Sequence, residues 1–524
     1  MPDNDRPVLT PASSVDAKPR MARNVFANWT SFLFTAVVAF FLSPFVVRSL
    51  GNTEYGAWVL LASLVGYMGL LDLGVRGAVT RFIAKFHAEG DHLQSSRLAT
   101  SAFIIFCITG LLAVVVAAFL AMFVVPRFQI PPNLVFEAQV VTIIGGVTIG
   151  VTLINGVFEG IIVGRQRFDY TSKLNIAIES LRAALVVGAL SAGEGLTALA
   201  IIQLAVTLLR AGIAYGLDRR LYPEAEIRWL HWDPRAVRLI FSWSIYTILI
   251  QASAQIISYT DSIVISAFLP VALLTFFAIA VNLTNYARAI VSGISFTLTP
   301  TTSALQALGR SDELRHIVLK SARFATLVIL PIIVTFMIRG GTFIGLWMGP
   351  SYAERSGQIL WILSIALACQ GGVASIGSTM YGLNRHRGIV PIFGTEAAVN
   401  LGLSIWLVQV IGIQGVAWGT TMPRVVVALV AMPWYLRRVL GIPVPAFWFN
   451  AWVRPLVSMM PFALATYGIQ RLWPASGLVV FFAQVALALP VAAVGAWFLC
   501  LTRDERQRYR ALLQQRIRQT GGRD

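Results

Sequence analysis

The stretch ATSAFIIFCITGLLAVVVAAFLAMFVV, residues 99–125, carries no charged side chain over a length sufficient to cross a bilayer. A hydrocarbon core of about 30 Å requires roughly 20 apolar residues in a helix. Similar stretches recur from Asn24 to Leu501, and the chain is 57% hydrophobic and only 12% charged. The sequence therefore predicts an all-α polytopic membrane protein.

Windows of membrane length, cut at charges, Gly and Pro, predict about 14 transmembrane helices. They lie near residues 24–47, 55–75, 99–125, 138–163, 175–191, 195–216, 239–268, 271–297, 322–347, 358–382, 389–410, 413–435, 455–472 and 477–501. We expect these domains: a disordered cytoplasmic tail (1–23), an N-terminal six-helix lobe (24–216), a cytoplasmic linker (217–238), a C-terminal six-helix lobe (239–436), two appended helices (455–501) and a basic cytoplasmic tail (502–524).

Positive charge marks one side of the predicted membrane protein. Most of the 41 Lys and Arg residues fall at the two ends of the chain and in every second loop. The opposite side holds Arg48, Arg127, Arg339, Arg355 and Arg471. Because Lys and Arg accumulate in short cytoplasmic loops, we predict that both termini are cytoplasmic. The net charge of +17 then serves topology and contact with anionic membrane lipids, and no nucleic-acid partner is expected.

Residue types that carry catalysis or bind metals are poorly placed in this sequence. The three cysteines, Cys107, Cys369 and Cys500, lie in predicted spans without metal-ligand spacing, and all five histidines fall in predicted cytoplasmic connections. No loop is long enough for a soluble catalytic domain. We therefore expect no catalytic residue, no metal site and no cofactor, and predict a transporter rather than an enzyme.

A weak internal repeat accompanies the two sets of six spans. The segment from Ala88 to Leu93 follows the second span, and a similar segment from Ala307 to Leu314 follows the eighth. An alternative is that any basic loop of this length looks alike. Since repetition is a common plan for transporters, we predict two pseudo-symmetric six-helix bundles that enclose a cavity, with two C-terminal helices added.

Polar residues recur three or four positions apart within the spans, which places them on one helix face. As substrate-binding candidates in a hydrated cavity we select Asn28, Asn155, Gln251, Gln255, Asn285 and Asn400. The alternative is that such side chains only form hydrogen bonds between helices.

Ionisable residues inside spans are costly and usually functional. The cationic candidates for an anionic substrate are Arg182, Arg210, Arg288 and Arg424, and the acidic candidates for coupling to a proton or sodium gradient are Asp72, Glu159, Asp261 and Glu396. Arg288 and Arg424 lack an obvious local partner, whereas Arg182 has Glu179 one helical turn away. Asp72 and Asp261 have the alternative of lying at helix ends.

One segment carries a family resemblance: RSLGNTEYGAWVLLASLVGYMGLLDLGVRGAVTRFIAKF, residues 48–86. Its matching features are Leu50-Gly51, Tyr55-Gly56, Trp58, Leu71-Asp72-Leu73-Gly74 and Arg81. It resembles the polysaccharide transporter branch, with its Wzx-type O-antigen flippases, of the multidrug/oligosaccharidyl-lipid/polysaccharide exporter superfamily. In the second half, Asp261 is followed by Pro270 where the family often has Gly.

The resemblance implies two bundles that alternate between inward-open and outward-open states. It implies a polyprenyl-diphosphate-linked oligosaccharide as substrate, moved from the cytoplasmic to the periplasmic leaflet of a bacterial inner membrane for O-antigen, capsule or exopolysaccharide biosynthesis. A polysaccharide polymerase and a chain-length regulator are the implied partners. The lipid tail would remain in the bilayer beside the appended helices.

Two other functions remain open from the sequence. An ion-coupled drug or metabolite antiporter of the same fold would have an acidic, aromatic cavity suited to cations, whereas this chain has four arginines inside spans. A membrane-embedded polysaccharide polymerase or ligase would need a long outer loop with convergent acids or histidines. The identity of the glycan and of the coupling ion is not encoded in any motif.

Overall fold

The computed structural model describes residues 14–222, 226–296 and 298–520, and within them all regular structure is helical. The described α-helices are α1 (Ser14–Tyr67), α2 (Val75–Ala88), α3 (His92–Phe119), α4 (Pro132–Gly164), α5 (Phe168–Ser191), α6 (Leu196–Leu221), α7 (Pro234–Phe268), α8 (Ala272–Phe296), α9 (Leu298–Ala307), α10 (Ser311–Trp347), α11 (Pro350–Ala368), α12 (Gln370–Gly382), α13 (Ile389–Ile411), α14 (Ile413–Val426), α15 (Met432–Leu440), α16 (Val444–Trp448), α17 (Arg454–Ser458), α18 (Met460–Leu472), α19 (Leu478–Gly495) and α20 (Arg503–Thr520). The predicted all-α membrane fold is confirmed.

The number of helices long and apolar enough to cross a membrane is smaller than the predicted 14. Within the described ranges, 11 helical stretches are long and apolar enough to cross a membrane, or 12 if the bent pair of α11 and α12 forms one crossing. Trp29–Ala88 is a single helical stretch, although the sequence predicts two spans there. The predicted span at 455–472 is divided at Met459 into α17 and α18, and neither is long enough alone. The count of 14 is therefore not confirmed.

The first helical stretch contains two backbone breaks, both within the segment that carries the family resemblance. Gly51 interrupts α1 with φ 71° and ψ 176°. A 3-10 turn at Met68–Asp72 then leads into Leu73 (φ 50°) and Gly74 (φ 70°). A left-handed Leu costs roughly 1–2 kcal/mol because its Cβ approaches the backbone. Leu73 is thus a strained position that the surrounding structure must hold.

Left-handed turn residues recur at a nearly constant interval along the chain. The pairs are Gly90 with Gly309, Gln166 with Asn384, and Gly193 with Gly412, and their sequence separations agree to within a single position. Hydrogen bonds repeat with them: Asp91 N donates to Phe86 O at 2.9 Å, and Arg310 N donates to Leu305 O at 3.0 Å. The predicted internal repetition is confirmed at these turns.

Contacts divide the chain into two compact units. Unit 1 comprises Met1–Leu50, Leu71–Met122 and Glu137–Ile245, and unit 2 comprises Gly51–Leu70, Phe123–Phe136 and Tyr246–Asp524. This grouping differs from the predicted contiguous lobes 24–216 and 239–436. The predicted linker 217–238 is short, because α6 ends at Leu221 and α7 begins at Pro234, and its residues 223–225 lie outside the described ranges.

Two segments from the first half of the sequence belong to unit 2, and specific hydrogen bonds connect them to it. Thr275 Oγ1 donates to Asn52 O at 2.7 Å, and the hydroxyls of Tyr67 and Thr260 lie 2.5 Å apart. Farther along, Val271 N donates to Gln129 O at 3.3 Å. These contacts tie residues 51–70 and 123–136 to the adjoining ends of α7 and α8.

The last helices are held to α10 by buried arginines. Arg339 is only 1% exposed; its Nε donates to Gln470 Oε1 at 2.9 Å, and its Nη2 donates to Gln484 Oε1. Arg339, assigned from the sequence to the outer side, thus connects α10 to the appended helices α18 and α19. On α20, Glu505 forms a buried ion pair with Arg323 of α10.

The two predicted tails are only partly described. Residues 1–13 and 521–524 lie outside the described ranges, and the predicted disorder of 1–13 is therefore not addressed. Residues 14–23 form the first turns of α1, whereas the sequence predicts disorder over 1–23. Extending an existing helix adds a hydrogen bond for each residue fixed, without a new nucleation cost.

Candidate functional site

Four charged side chains from four helices of unit 2 form what we call the C-terminal charge cluster. Its members are Asp261 on α7, Arg288 on α8, Glu396 on α13 and Arg424 on α14. Arg288 lies close enough to the other three to interact with them electrostatically. The sequence predicts each of the four as a site candidate, and the fold brings all four together.

Arg424 and Glu396 form a direct ion pair inside this cluster. Arg424 Nε lies 2.8 Å from Glu396 Oε1, and the two side chains are 17% and 2% exposed. The sequence offered no local partner for Arg424, because Glu396 lies on the preceding helix, far beyond the spacing of one helical turn. A charge pair this deep in an apolar unit is stable only if its geometry and remaining hydrogen bonds are favourable.

Asp261 belongs to a second chain of contacts in the same cluster. Thr420 Oγ1 donates to Asp261 Oδ2 at 2.6 Å, and Asn400 Nδ2 donates to Thr420 Oγ1 at 2.9 Å. Asn400 and Ser404 also lie near enough to Asp261 to interact with its carboxylate. One carboxylate is therefore surrounded by amide and hydroxyl groups from α13 and α14.

A proline explains part of this geometry. Pro423 has no amide hydrogen, so the carbonyl of Gly419 one turn earlier has no donor within α14. Asn400 Nδ2 approaches that carbonyl at 3.4 Å. The carbonyl left free by Pro423 is thus approached by a polar side chain of α13 beside Asp261.

Several buried polar atoms in the C-terminal charge cluster have no hydrogen-bond partner among the described residues. They are Asp261 Oδ1, Arg288 Nε, Glu396 Oε2, Asn400 Oδ1 and Ser404 Oγ. A buried donor or acceptor left unsatisfied costs roughly 1–3 kcal/mol. Their concentration at one place is a property expected of a site that takes a ligand, an ion or water.

A different arrangement holds four charges of unit 1, which we call the N-terminal charge cluster. Glu159 lies 2.6 Å from Arg210 Nε and 4.0 Å from Arg76 Nη1. Arg76 Nε also lies 3.6 Å from Asp72, and Asn155 Nδ2 donates to Glu159 Oε1 at 2.9 Å. Each charged member therefore has a partner of opposite charge within the cluster.

The remaining predicted site residues are not brought together by the described contacts. Arg182 pairs with Glu179 on the same helix at 2.5 Å. Gln251 and Asn285 are exposed in unit 2, and Gln255 is half-buried there. The side chain of Asn28 lies outside the part of the chain that the structure describes.

Sequence reasoning missed Thr420 and Ser404. A signal was present, since Ser404 continues the one-turn spacing of Glu396 and Asn400, and Thr420 precedes Arg424 by one turn. Because single hydroxyl residues are common at helix contacts, this spacing did not mark Thr420 and Ser404 as site residues. No group of three His, Cys, Asp or Glu residues that could hold a metal ion lies within the described ranges.

Comparisons with known proteins agree with this architecture. The family described as "Polysaccharide biosynthesis protein" matches residues 21–306. Agl15 of Haloferax volcanii, named a probable low-salt glycan biosynthesis flippase, is 21% identical over 412 residues, which are 77% of this chain and 80% of the relative.

Two solved structures share the fold. The lipid II flippase MurJ in an inward closed conformation has a TM-score of 0.68 at 13% identity, over 91% of this chain and 98% of that protein. An inward-facing multidrug resistance MATE family transporter of the MOP superfamily has a TM-score of 0.65 at 15% identity, over 80% and 95%. At such identities the likeness shows the fold alone.

Proposed function

We propose, from the premise that the chain belongs to the polysaccharide biosynthesis protein family, that it is a flippase for lipid-linked glycans. Its substrate is an oligosaccharide on a polyprenyl diphosphate, moved from the cytoplasmic to the periplasmic leaflet. The resulting polymer is an O-antigen, a capsule or an exopolysaccharide. The protein acts as a transporter and not as an enzyme.

The observation that carries this proposal is the state of Arg288. Its Nε is buried without a hydrogen-bond partner among the described residues, and Arg424 lies near it. Guanidinium groups bind phosphate oxygens through short, charge-assisted hydrogen bonds. A diphosphate cannot cross hydrocarbon without such compensation. We therefore assign the diphosphate to Arg288 and Arg424.

Asp261 is our candidate for the coupling ion, which is a proton or sodium. The C-terminal charge cluster has two acids and two arginines, so its formal charge is zero when all four are ionised. A cation or proton at Asp261 leaves one net positive charge beside Arg288. An anionic diphosphate then binds more tightly, so the ion and the substrate favour each other's binding.

The membrane and the orientation that we propose for the protein follow from the predicted topology. We place the protein in the inner membrane of a bacterium with both termini in the cytoplasm, where the basic loops lie. A polysaccharide polymerase would consume the flipped substrate, and a chain-length regulator would act with it. Both are proposed partners.

The proposal is tested by depleting the protein in its host and locating the lipid-linked oligosaccharides. We expect them to accumulate in the cytoplasmic leaflet while surface polymer is lost. Restoring the wild-type chain should reverse both effects, and the double variant Arg288→Ala/Arg424→Ala should not. Normal polymer with unchanged lipid intermediates would contradict the proposal, and export of drugs or metabolites would then be measured.

A further inference from the structure

An apolar groove of about 430 Å³ runs between α13 and α14 in unit 2. Along α13 it is lined by Pro391, Val399 and Leu403, and along α14 by Met422 and Val426. Val399, Met422 and Val426 are 43%, 46% and 58% exposed. The lining positions of α13 extend along about 18 Å of helix. The groove is thus long, narrow and open along one side.

Glycines at one end and a proline at the other explain why the groove exists. A Cβ at Gly415 would lie 2.1 Å from Leu407 O, and one at Gly419 would lie 2.4 Å from Ser404 Oγ. The two helices therefore touch closely in that half. Beyond Pro423 a π segment follows at Val427–Ala431, and the groove lies between α13 and this part of the chain.

The groove lies in the half of the α13–α14 pair that is next to a cluster of basic residues. Arg385 and Arg387 precede α13, and Arg437 and Arg438 occupy the last turn of α15. The distribution of positive charge assigns this end to the cytoplasm. The groove therefore faces the leaflet from which the proposed substrate is taken, whereas the closely packed half lies towards the opposite leaflet.

Glu396 connects the groove to the C-terminal charge cluster. It lines the groove, its side chain is 2% exposed, and its Oε1 lies 2.8 Å from Arg424 Nε. Its Oε2 has no hydrogen-bond partner among the described residues. An apolar channel and an anion-binding arginine are thus separated by one side chain.

We propose that this groove holds the isoprenoid chain of the substrate while its diphosphate lies at Arg424 and Arg288. The inference rests on the proposed function and adds where the lipid tail lies. It replaces the expectation that the tail lies beside the appended helices. Apolar walls accept the hydrocarbon, and the neighbouring arginines accept the charge to which that hydrocarbon is joined. A phospholipid acyl chain lacks this diphosphate link to Arg424.

Photo-crosslinking tests the groove with a matched control on the same helix. Benzoylphenylalanine is placed at Val399, in the groove, or at Val410, which is 64% exposed. The two positions are separated by about three helical turns, so both share one face of α13 but lie in opposite halves. The full-length protein is held in phosphatidylglycerol nanodiscs with radiolabelled undecaprenyl diphosphate.

We expect at least tenfold more label at position 399 than at 410, removed by unlabelled undecaprenyl diphosphate and not by added phosphatidylglycerol. Adding Arg424→Ala to the Val399 variant should lower the label severalfold. Equal labelling at both positions, or label that Arg424→Ala leaves unchanged, would overturn the inference.

Two further measurements separate failure of the groove from failure of the proposed function. If wild-type protein binds the probe, and Arg288→Ala weakens that binding, while position 399 stays unlabelled, the groove is wrong and the function stands. If wild-type protein does not bind the probe, both are wrong. Val399→Trp, which fills the groove, should lower transport about tenfold, and Val410→Trp should not. Equal transport by both variants would also overturn the groove.

Discussion

The two halves of the sequence share the positions of their left-handed turns but not the positions of their charged residues within the helices. Left-handed turns such as Gly90 and Gln166 recur in the second half as Gly309 and Asn384. When the halves are aligned on either of these two pairs, every charged member of the two clusters corresponds to an uncharged residue in the other half. The corresponding positions are Asp261 with Leu42 or Ser43, Arg288 with Gly69 or Leu70, Glu396 with Ala177 or Ile178, Arg424 with Ala205 or Val206, Asp72 with Val291 or Ile290, Arg76 with Ser295 or Ile294, Glu159 with Ser378 or Gly377, and Arg210 with Leu429 or Ala428. The two halves therefore share these turns but carry their charged residues at different positions.

The clusters also differ in how completely their charges are matched. In the N-terminal charge cluster, Glu159 joins Arg210 and Arg76, and Arg76 also meets Asp72. In the C-terminal charge cluster, the Nε of Arg288 and one oxygen of Asp261 have no hydrogen-bond partner among the described residues. Arg76 Nε and Asn155 Oδ1 of the N-terminal charge cluster also lack one, but every charge of that cluster has an oppositely charged partner within 4.0 Å. We propose from this difference that the first cluster stabilises its unit and that the second binds ligands.

Removing arginines should separate the two clusters most clearly. Arg288→Ala should weaken binding of undecaprenyl diphosphate about thirtyfold, because a hydrogen bond to a charged group contributes about 2 kcal/mol. Arg210→Ala should change that affinity less than threefold. Binding to the purified proteins in nanodiscs measures both. A larger loss for Arg210→Ala would reverse the assignment of the two clusters.

Neutralising acids should distinguish the clusters by ion dependence. Asp261→Asn leaves the net positive charge in place without an ion, so substrate binding should no longer respond to sodium or to pH. We expect a roughly tenfold response in the wild type, which corresponds to a coupling free energy of about 1.4 kcal/mol. Glu159→Gln should retain the wild-type response. An unchanged response in Asp261→Asn would exclude Asp261 as the coupling residue.

The free energy of unfolding should depend more on the N-terminal charge cluster than on the C-terminal charge cluster. Glu159→Gln leaves Arg210 without its carboxylate, and removing one partner of a buried pair costs about 3 kcal/mol, less where solvent reaches the pair. Arg210 is 29% exposed and Glu159 13%, so we expect a loss of about 1–2 kcal/mol. Thermal unfolding in detergent compares it with Asp261→Asn, which should unfold at or above the wild-type temperature. A lower unfolding temperature for Asp261→Asn than for Glu159→Gln would contradict this assignment.

Close helix packing gives a smaller test within unit 2. Gly419→Ala places a Cβ against Ser404 and should cost about 1–2 kcal/mol while moving Thr420 away from Asp261. Gly402→Ala on α13 has open space around its Cβ and should be neutral. Thermal unfolding and the sodium response of substrate binding measure both variants. If Gly419→Ala kept wild-type stability and ion response, the contact between α13 and α14 would not control the site.

The smallest effect concerns the ion pair between Arg323 and Glu505, in which Glu505 lies beyond the last predicted span. Burial by itself would raise the pKa of Glu505, but the backbone hydrogen bond from Thr502 and the charge of Arg323 outweigh it and lower that pKa below its ordinary value of 4.5. The contribution of ionised Glu505 to the stability of the folded α20 is therefore complete above about pH 5. It is lost as the pH falls through the lowered pKa of Glu505. Protease cleavage at α20 should accelerate only when the pH falls below that ordinary value. Equal cleavage of wild type and Glu505→Gln at neutral pH would show that the pair does not hold α20.

The sequence was sufficient for the fold but not for the site. Long apolar stretches predict helices directly, and the similar segments around Gly90 and Gly309 indicate the internal repeat. Glu396 and Arg424 were both selected, yet their pairing depends on how α13 and α14 meet, which no local pattern contains. The count of 14 was not confirmed, because Gly51 leaves only a single non-helical residue between the first two predicted spans, and Met459 divides a span that hydropathy treats as continuous.

The most direct test of the account is transport in reconstituted vesicles. Purified protein is inserted into liposomes with a fluorescent oligosaccharide on undecaprenyl diphosphate, and a lectin reports how much substrate reaches the other leaflet. We predict rapid movement with wild-type protein and with Arg210→Ala, and almost none with Arg288→Ala/Arg424→Ala. Equal movement by wild type and the double variant, or none by wild type under an ion gradient, would contradict it.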